Sequence, residues 1–93
     1  MLVCLVALMM LLPLAVSAEG KLKVGMECNY APFNWTQSEP SETAVLLPAG
    51  GYADGYDVQV AKYIAEKLGM ELEIVKTEWD GLPPALISGK IDL

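Results

Sequence analysis

The chain has 93 residues, of which 12 are acidic and 6 are lysines, so its formal net charge is −6. An acidic surface is unfavourable for binding nucleic acid or an anionic membrane, and we expect neither as a partner. The sequence contains two cysteines, no histidine and no arginine, which excludes histidine-based acid–base catalysis and the usual zinc sites from these residues.

The first 18 residues predict a secretory signal peptide. Residues 2–16 carry no charge and are almost wholly apolar, and Val16-Ser17-Ala18 supply the small or β-branched residues that precede a cleavage site. A permanent membrane anchor is the alternative, but a spanning helix needs about 20 apolar residues and Pro13 interrupts this run. We expect cleavage after Ala18, and residues 19–93 in the periplasm or outside the cell.

The next residues predict a strand followed by a loop and a surface excursion. Leu22, Val24 and Met26 alternate with lysine and glycine, which is the period of a half-buried strand. Residues 27–37 have no clear period and predict a loop. Residues 38–54 are rich in Pro, Ser, Glu and Gly around a short apolar run, which predicts a hairpin or surface excursion.

A helix and a second strand follow. The apolar residues that fall on one helical face are Val58, Ala61, Ile64, Ala65 and Leu68. Asp57 is expected to cap the start of this helix and Gly69 to end it. Alternating residues between Glu71 and Thr77 then predict the second strand.

The last part of the chain predicts a short helix and the start of a third strand. Asp80 is expected to cap a helix with two prolines in its first turn, where backbone N–H groups have no intrahelical partner. Its buried side is expected to contain Leu82, Ala85 and Leu86, and Gly89 to end it. Because residues 90–93 resemble a strand that has just begun, we expect residues 19–93 to be part of a larger domain. The order of elements predicts a parallel α/β sheet.

Three side chains are candidates for a binding site. Glu27 and Tyr30 follow the first strand and Trp79 follows the second, so parallel strands bring them to one edge of the sheet. Aromatic rings attract an ammonium group, and a carboxylate selects polar or cationic groups. The alternatives are that Tyr30 packs a corner, that Glu27 is solvated and that Trp79 fills the base of the following helix.

Two further patterns carry less information. Asn34-Trp35-Thr36 is a formal N-glycosylation sequon, a tripeptide that is common by chance. Cys28 is the one cysteine that remains after cleavage, so no disulfide can form within residues 19–93.

Four segments together resemble a known family. They are residues 25–37 (GMECNYAPFNWTQ), 55–61 (GYDVQVA), 78–82 (EWDGL) and 88–93 (SGKIDL). In order and spacing they resemble the polar amino acid solute-binding proteins of ABC importers. The excursion at residues 38–54 is longer than in compact members of that family.

The resemblance implies a type II periplasmic binding protein with two lobes, of which residues 19–93 are part of the first. It implies a monomer that binds an amino acid non-covalently, with no catalytic residue, metal or cofactor, and presents it to the membrane subunits of an ABC permease. In members of the family, residues at the positions of Tyr30 and Trp79 stack on the bound amino acid, and some place an acidic contact at the position of Glu27. Asp57 matches the position at which a helix starts in the family, and the resemblance implies that its role is structural.

Two other functional classes share this fold. One is enzymatic: secreted dehydratases such as cyclohexadienyl dehydratase, or binding domains linked to a transglycosylase. The other is a sensor or receptor ectodomain in which closure signals through a membrane helix.

Overall fold

A computed structural model describes residues 20–93, and the predicted signal peptide lies outside them. The first strand, β1 (Lys21–Met26), pairs in parallel with β6 (Glu71–Lys76), from Lys21 opposite Glu71 to Met26 opposite Lys76. The apolar residues of β1 point into the core as the alternation predicts, and Ile74 of β6 is fully buried. Both predicted strands are therefore confirmed.

The other edge of β1 contacts the last residues of the chain. The Leu93 N–H donates to the Lys23 carbonyl oxygen over 3.3 Å, and the Gly25 N–H donates to the Leu93 carbonyl oxygen over 2.8 Å. This is the bonding pattern of a parallel neighbour. β1 consequently lies between β6 and residues 92–93.

The helix α1 (Tyr56–Leu68) precedes β6 in the chain and buries Val58, Ala61 and Ala65 in the core. It ends at Gly69, whose φ of 66° is the left-handed conformation typical of a helix C-terminus. Leu68 differs from the prediction: it is 59% exposed, because the last turn of the helix extends beyond the core.

The segment between β1 and α1 forms a second, antiparallel sheet. Its strands are β2 (Asn29–Tyr30), β3 (Asn34–Gln37), β4 (Val45–Leu46) and β5 (Tyr52–Asp54), in the spatial order β2-β3-β5-β4. The predicted excursion is thus a hairpin of β4 and β5. The prediction of a loop throughout residues 27–37 is wrong, because β2 and β3 pair within it.

After β6, a single 3-10 turn (Trp79–Gly81) leads into α2 (Leu82–Ser88). The prolines occupy the first turn and Gly89 ends the helix in the left-handed conformation, as predicted. The predicted Asp80 cap is wrong, because Asp80 lies inside the 3-10 turn and Gly81 precedes the helix with no side-chain cap. Of the expected buried face, Ala85 is buried and Leu86 is 51% exposed.

The fold is therefore a mixed α/β arrangement of a parallel layer and an antiparallel layer joined by α1. Ten core residues connect the two layers, and they come from β1, β5, β6, α1 and the turns at Cys28 and Leu47. None of the helices described between residues 20 and 93 has the length and apolar character needed to cross a membrane.

Candidate functional site

The three candidate side chains line one cleft. It has a volume of about 460 Å³ and opens where the carboxyl ends of β1 and β6 meet. Glu27 follows β1 directly, Tyr30 lies on β2, and Trp79 begins the 3-10 turn after β6. The full lining consists of Gly25, Met26, Glu27, Tyr30, Phe33, Asn34, Asp57, Trp79 and Leu82.

The two candidate aromatic side chains are available at the cleft surface. Tyr30 is 60% exposed and Trp79 is 69% exposed. The Tyr30 ring lies 5.4 Å from the Phe33 ring, centroid to centroid, with the planes inclined at 45°. Exposure of this size does not agree with Trp79 filling the base of α2 as a core residue. Their rings can instead provide apolar area and negative ring faces to a small molecule in the cleft.

The cleft also contains two carboxylates, Glu27 and Asp57, both half-buried. Of the side chains that line it in the described part of the chain, none is cationic. A cationic group in the cleft would therefore be attracted by two carboxylates, and an anionic group would be repelled.

Asp57 does not have the capping role predicted from the sequence. The residue before α1 is Gly55, which makes no side-chain cap, and Asp57 lies within the first helical turn. Its Oδ2 accepts a hydrogen bond from Asn34 Nδ2 over 2.9 Å, and its main-chain N–H donates to the Phe33 carbonyl oxygen over 2.8 Å. Asp57 thus joins α1 to the start of β3 and to the residue before it, Phe33.

The turn between Glu27 and Tyr30 is built around Cys28, which is fully buried and has a φ of 59°. Its N–H donates to Asn34 Oδ1 over 2.7 Å, and its carbonyl oxygen accepts from Thr36 Oγ1 over 2.8 Å. Burial raises the pKa of the Cys28 thiol, although the nearby charge of Lys76 partly opposes that shift. The thiol is therefore neutral at physiological pH.

A second hollow of similar volume adjoins the first and shares Gly25, Trp79 and Leu82 with it. Its remaining lining is mainly apolar, from α2 and the end of the chain, with Asp80 as its charged member. The first cleft is the better candidate because aromatic rings and carboxylates converge there. Within residues 20–93, no group of three Cys, Asp or Glu residues is arranged to hold a metal ion.

The sequence interpretation missed Asn34 and Asp57 as cleft residues. From the sequence, Asn34 was interpreted only as part of a glycosylation sequon, and Asp57 only as a helix cap. Their hydrogen bond joins residues 23 positions apart, so no local spacing pattern could have revealed it. The one signal available in the sequence was the position of Asp57, at the start of the predicted helix and shortly after the predicted excursion at residues 38–54.

The family model described as bacterial extracellular solute-binding proteins, family 3, matches residues 22–93. No solved structure gives a significant match.

Three relatives illustrate the range of similarity. A probable histidine-binding protein of Campylobacter jejuni is 42% identical over 72 residues, covering 77% of this chain and 23% of the relative. The L-cystine-binding protein TcyJ of Escherichia coli is 32% identical over 78 residues, 84% of this chain and 25% of the relative. Cyclohexadienyl dehydratase of Pseudomonas aeruginosa is 34% identical over 74 residues, 80% of this chain and 24% of the relative. The chain thus spans about a quarter of the length of these relatives.

Proposed function

Because the chain belongs to the bacterial extracellular solute-binding proteins, family 3, we propose that the whole protein binds a polar or charged amino acid and delivers it to an ABC importer. The observation that carries this proposal is the convergence of Glu27, Tyr30 and Trp79 on one cleft. Open α/β sheets bind their ligands at the carboxyl ends of the strands, which is where this cleft lies.

Each of the three side chains has a distinct role in the proposal. Tyr30 and Trp79 hold the aliphatic part of the amino acid by burying apolar surface, and attract its ammonium group through their ring faces by about 0.5 to 2 kcal/mol. Glu27 accepts hydrogen bonds from the ammonium group or from a polar side chain, and such charge-assisted bonds are stronger than neutral ones. Binding by these contacts is non-covalent and needs no cofactor.

We further propose the type II periplasmic architecture, in which two lobes close on the ligand by a hinge motion. The described residues then contribute one wall of the site, and the protein acts as a monomer outside the cytoplasm with the permease subunits as its partners. The predicted signal peptide at residues 1–18 supports export.

The proposal can be tested by adding each member of a panel of amino acids to the whole protein and measuring the melting temperature. A ligand that binds only the folded state stabilises it by about 2.7 kcal/mol at a hundredfold excess over Kd. A few polar or charged amino acids should raise the melting temperature, and purely aliphatic ones should not. If no amino acid raises it, the proposal is wrong.

The second candidate is a secreted dehydratase, which the similarity to cyclohexadienyl dehydratase favours. The charges in the described cleft are less suited to it, because a cyclic carboxylate such as prephenate would meet Glu27 and Asp57. Turnover of prephenate, measured by ultraviolet absorbance, together with no response to amino acids, would favour the enzyme.

A further inference from the structure

We propose that Asn34 is a positioning residue of the cleft, whose side-chain amide ties the turn bearing Glu27 and Tyr30 to the first turn of α1. This inference rests on the proposed function, since it assigns Asn34 an indirect role in binding an amino acid at the same cleft.

One end of the amide fixes the turn. Asn34 Oδ1 accepts the Cys28 N–H over 2.7 Å, and Cys28 is the residue through which the chain changes direction after Glu27. Its positive φ of 59° is unusual for a residue with a side chain. A conformation of this kind persists where surrounding contacts hold it in place.

The other end of the amide fixes the helix. Asn34 Nδ2 donates to Asp57 Oδ2 over 2.9 Å. The Cys28 N–H requires an acceptor and the Asp57 carboxylate requires a donor, and a side-chain amide supplies both from one residue. Because Asn34 is only 7% exposed, water cannot readily replace either bond.

The bridge controls where the ligand-contacting groups lie. Glu27 directly precedes Cys28 and Tyr30 follows it by two positions, so a shift of the turn moves the carboxylate and the ring together. Asp57 provides the fixed end, because it belongs to a helix packed on the core through Val58 and Ala61. Breaking the bridge should therefore reduce affinity even though Asn34 need not touch the ligand itself.

The substitution Asn34→Asp breaks one end of the bridge selectively. It keeps an acceptor for the Cys28 N–H but sets two carboxylates against each other across the 2.9 Å contact with Asp57. We expect the Kd of the whole protein for its best amino acid to rise by about tenfold or more, measured calorimetrically well below the melting temperature.

The exchange Asn34→Asp with Asp57→Asn is the matched variant. It restores one amide and one carboxylate with the net charge unchanged, and Asp57→Asn then supplies the donor. The Kd should return to within about threefold of the unmodified protein. An unchanged Kd in Asn34→Asp, or a Kd that the exchange does not restore, would overturn the proposal. If Asn34→Asp does not fold, Asn34→Ala takes its place: it removes both bonds without adding a charge, and an unchanged Kd in that variant is the contrary result.

A second measurement does not depend on ligand. Cys28 is 1% exposed, and opening of the turn should make its thiol accessible to iodoacetamide, followed by mass spectrometry of its peptide. Alkylation should accelerate in Asn34→Asp and slow again in the exchange variant. Ile74→Val is the control, because it shortens a fully buried core side chain and so lowers global stability, yet leaves both hydrogen bonds of Asn34 in place.

The two readouts separate the two proposals. If the unmodified protein binds no amino acid, the proposed function fails, and alkylation still reports whether Asn34 holds the turn. If alkylation accelerates while Kd stays the same, Asn34 is purely structural and the positioning role is overturned.

Discussion

Gly55 lies against the main chain of Phe33 so closely that a Cβ atom on Gly55 would be 2.5 Å from the Phe33 carbonyl oxygen. Gly55 also has a φ of 123°, a conformation that residues with side chains rarely adopt. This contact allows the Asp57 N–H to reach the same carbonyl oxygen. The start of α1 and the main chain at Phe33 are thus joined at a position where only glycine fits.

Gly55→Ala should therefore destabilise the protein strongly. The backbone conformation alone accounts for about 1 to 3 kcal/mol, and the clash with main-chain atoms adds to it. Gly50→Ala is the matched control, because Gly50 has a φ of 112° with no atom within 4 Å of the added carbon. Chemical denaturation should show a larger loss for Gly55→Ala, and equal losses would contradict the role of the clash.

Trp79→Ala should abolish the stabilisation by ligand and leave the melting temperature of the free protein nearly unchanged. The reason is that Trp79 is largely exposed at the cleft and contributes little to the core. Tyr63→Ala is the control, since Tyr63 is an exposed aromatic residue on α1 that does not line the cleft. A large loss of unliganded stability with binding preserved would instead identify Trp79 as a packing residue.

Glu27→Gln should weaken ligand binding by about 10- to 100-fold, because hydrogen bonds to charged groups contribute about 1.5 to 3 kcal/mol. The substitution keeps the size of the side chain and removes its charge. Glu78→Gln, at an exposed carboxylate outside the cleft lining, should change affinity by less than about threefold. Isothermal titration with a basic amino acid compares the two, and equal effects would show that Glu27 acts only through the overall charge.

Asp54 should make stability depend on pH in the acidic range. Burial by itself raises the pKa of its carboxyl group, but hydrogen bonds from Thr43, the Gly55 main chain, Ser41 and Gln59 outweigh burial and lower the pKa. The resulting stabilisation is present above the pKa of the unfolded chain, about 3.9. It is lost as pH falls through the lower folded pKa.

The measurement is the free energy of unfolding as the pH is lowered from 6 through the unfolded-state pKa of about 3.9. The protein should lose stability more steeply than the Asp54→Asn variant below about pH 4. Parallel pH profiles for the two proteins would contradict this prediction.

The sequence predicted elements whose signal is periodic. β1 and β6 follow from alternation that one buried face imposes, and α1 follows from helical spacing and a glycine at its end. The sequence could predict that Glu27, Tyr30 and Trp79 lie at one edge of the sheet, because parallel strands align their carboxyl ends. Each of these inferences depended on local pattern or on sheet topology.

The errors arose where distant residues decide the outcome. Asp57 has the sequence context of a cap, yet Asn34 uses its carboxylate from 23 residues away. β2 has two residues, too few to show a period. Leu68 and Leu86 lie on apolar helical faces, but both helices extend past the surfaces that bury those faces.

The burial of Asn34 has a consequence for producing the protein. Asn34-Trp35-Thr36 is an acceptor sequon for N-linked glycans, and a eukaryotic secretory host modifies such asparagines on the nitrogen that here donates to Asp57. A glycan on that nitrogen would have no room in the folded chain, because the side chain is enclosed between the Cys28 turn and α1. In yeast or insect cells we therefore expect glycosylated chains to remain unfolded and folded chains to lack the glycan. Expression in a bacterial host avoids this loss.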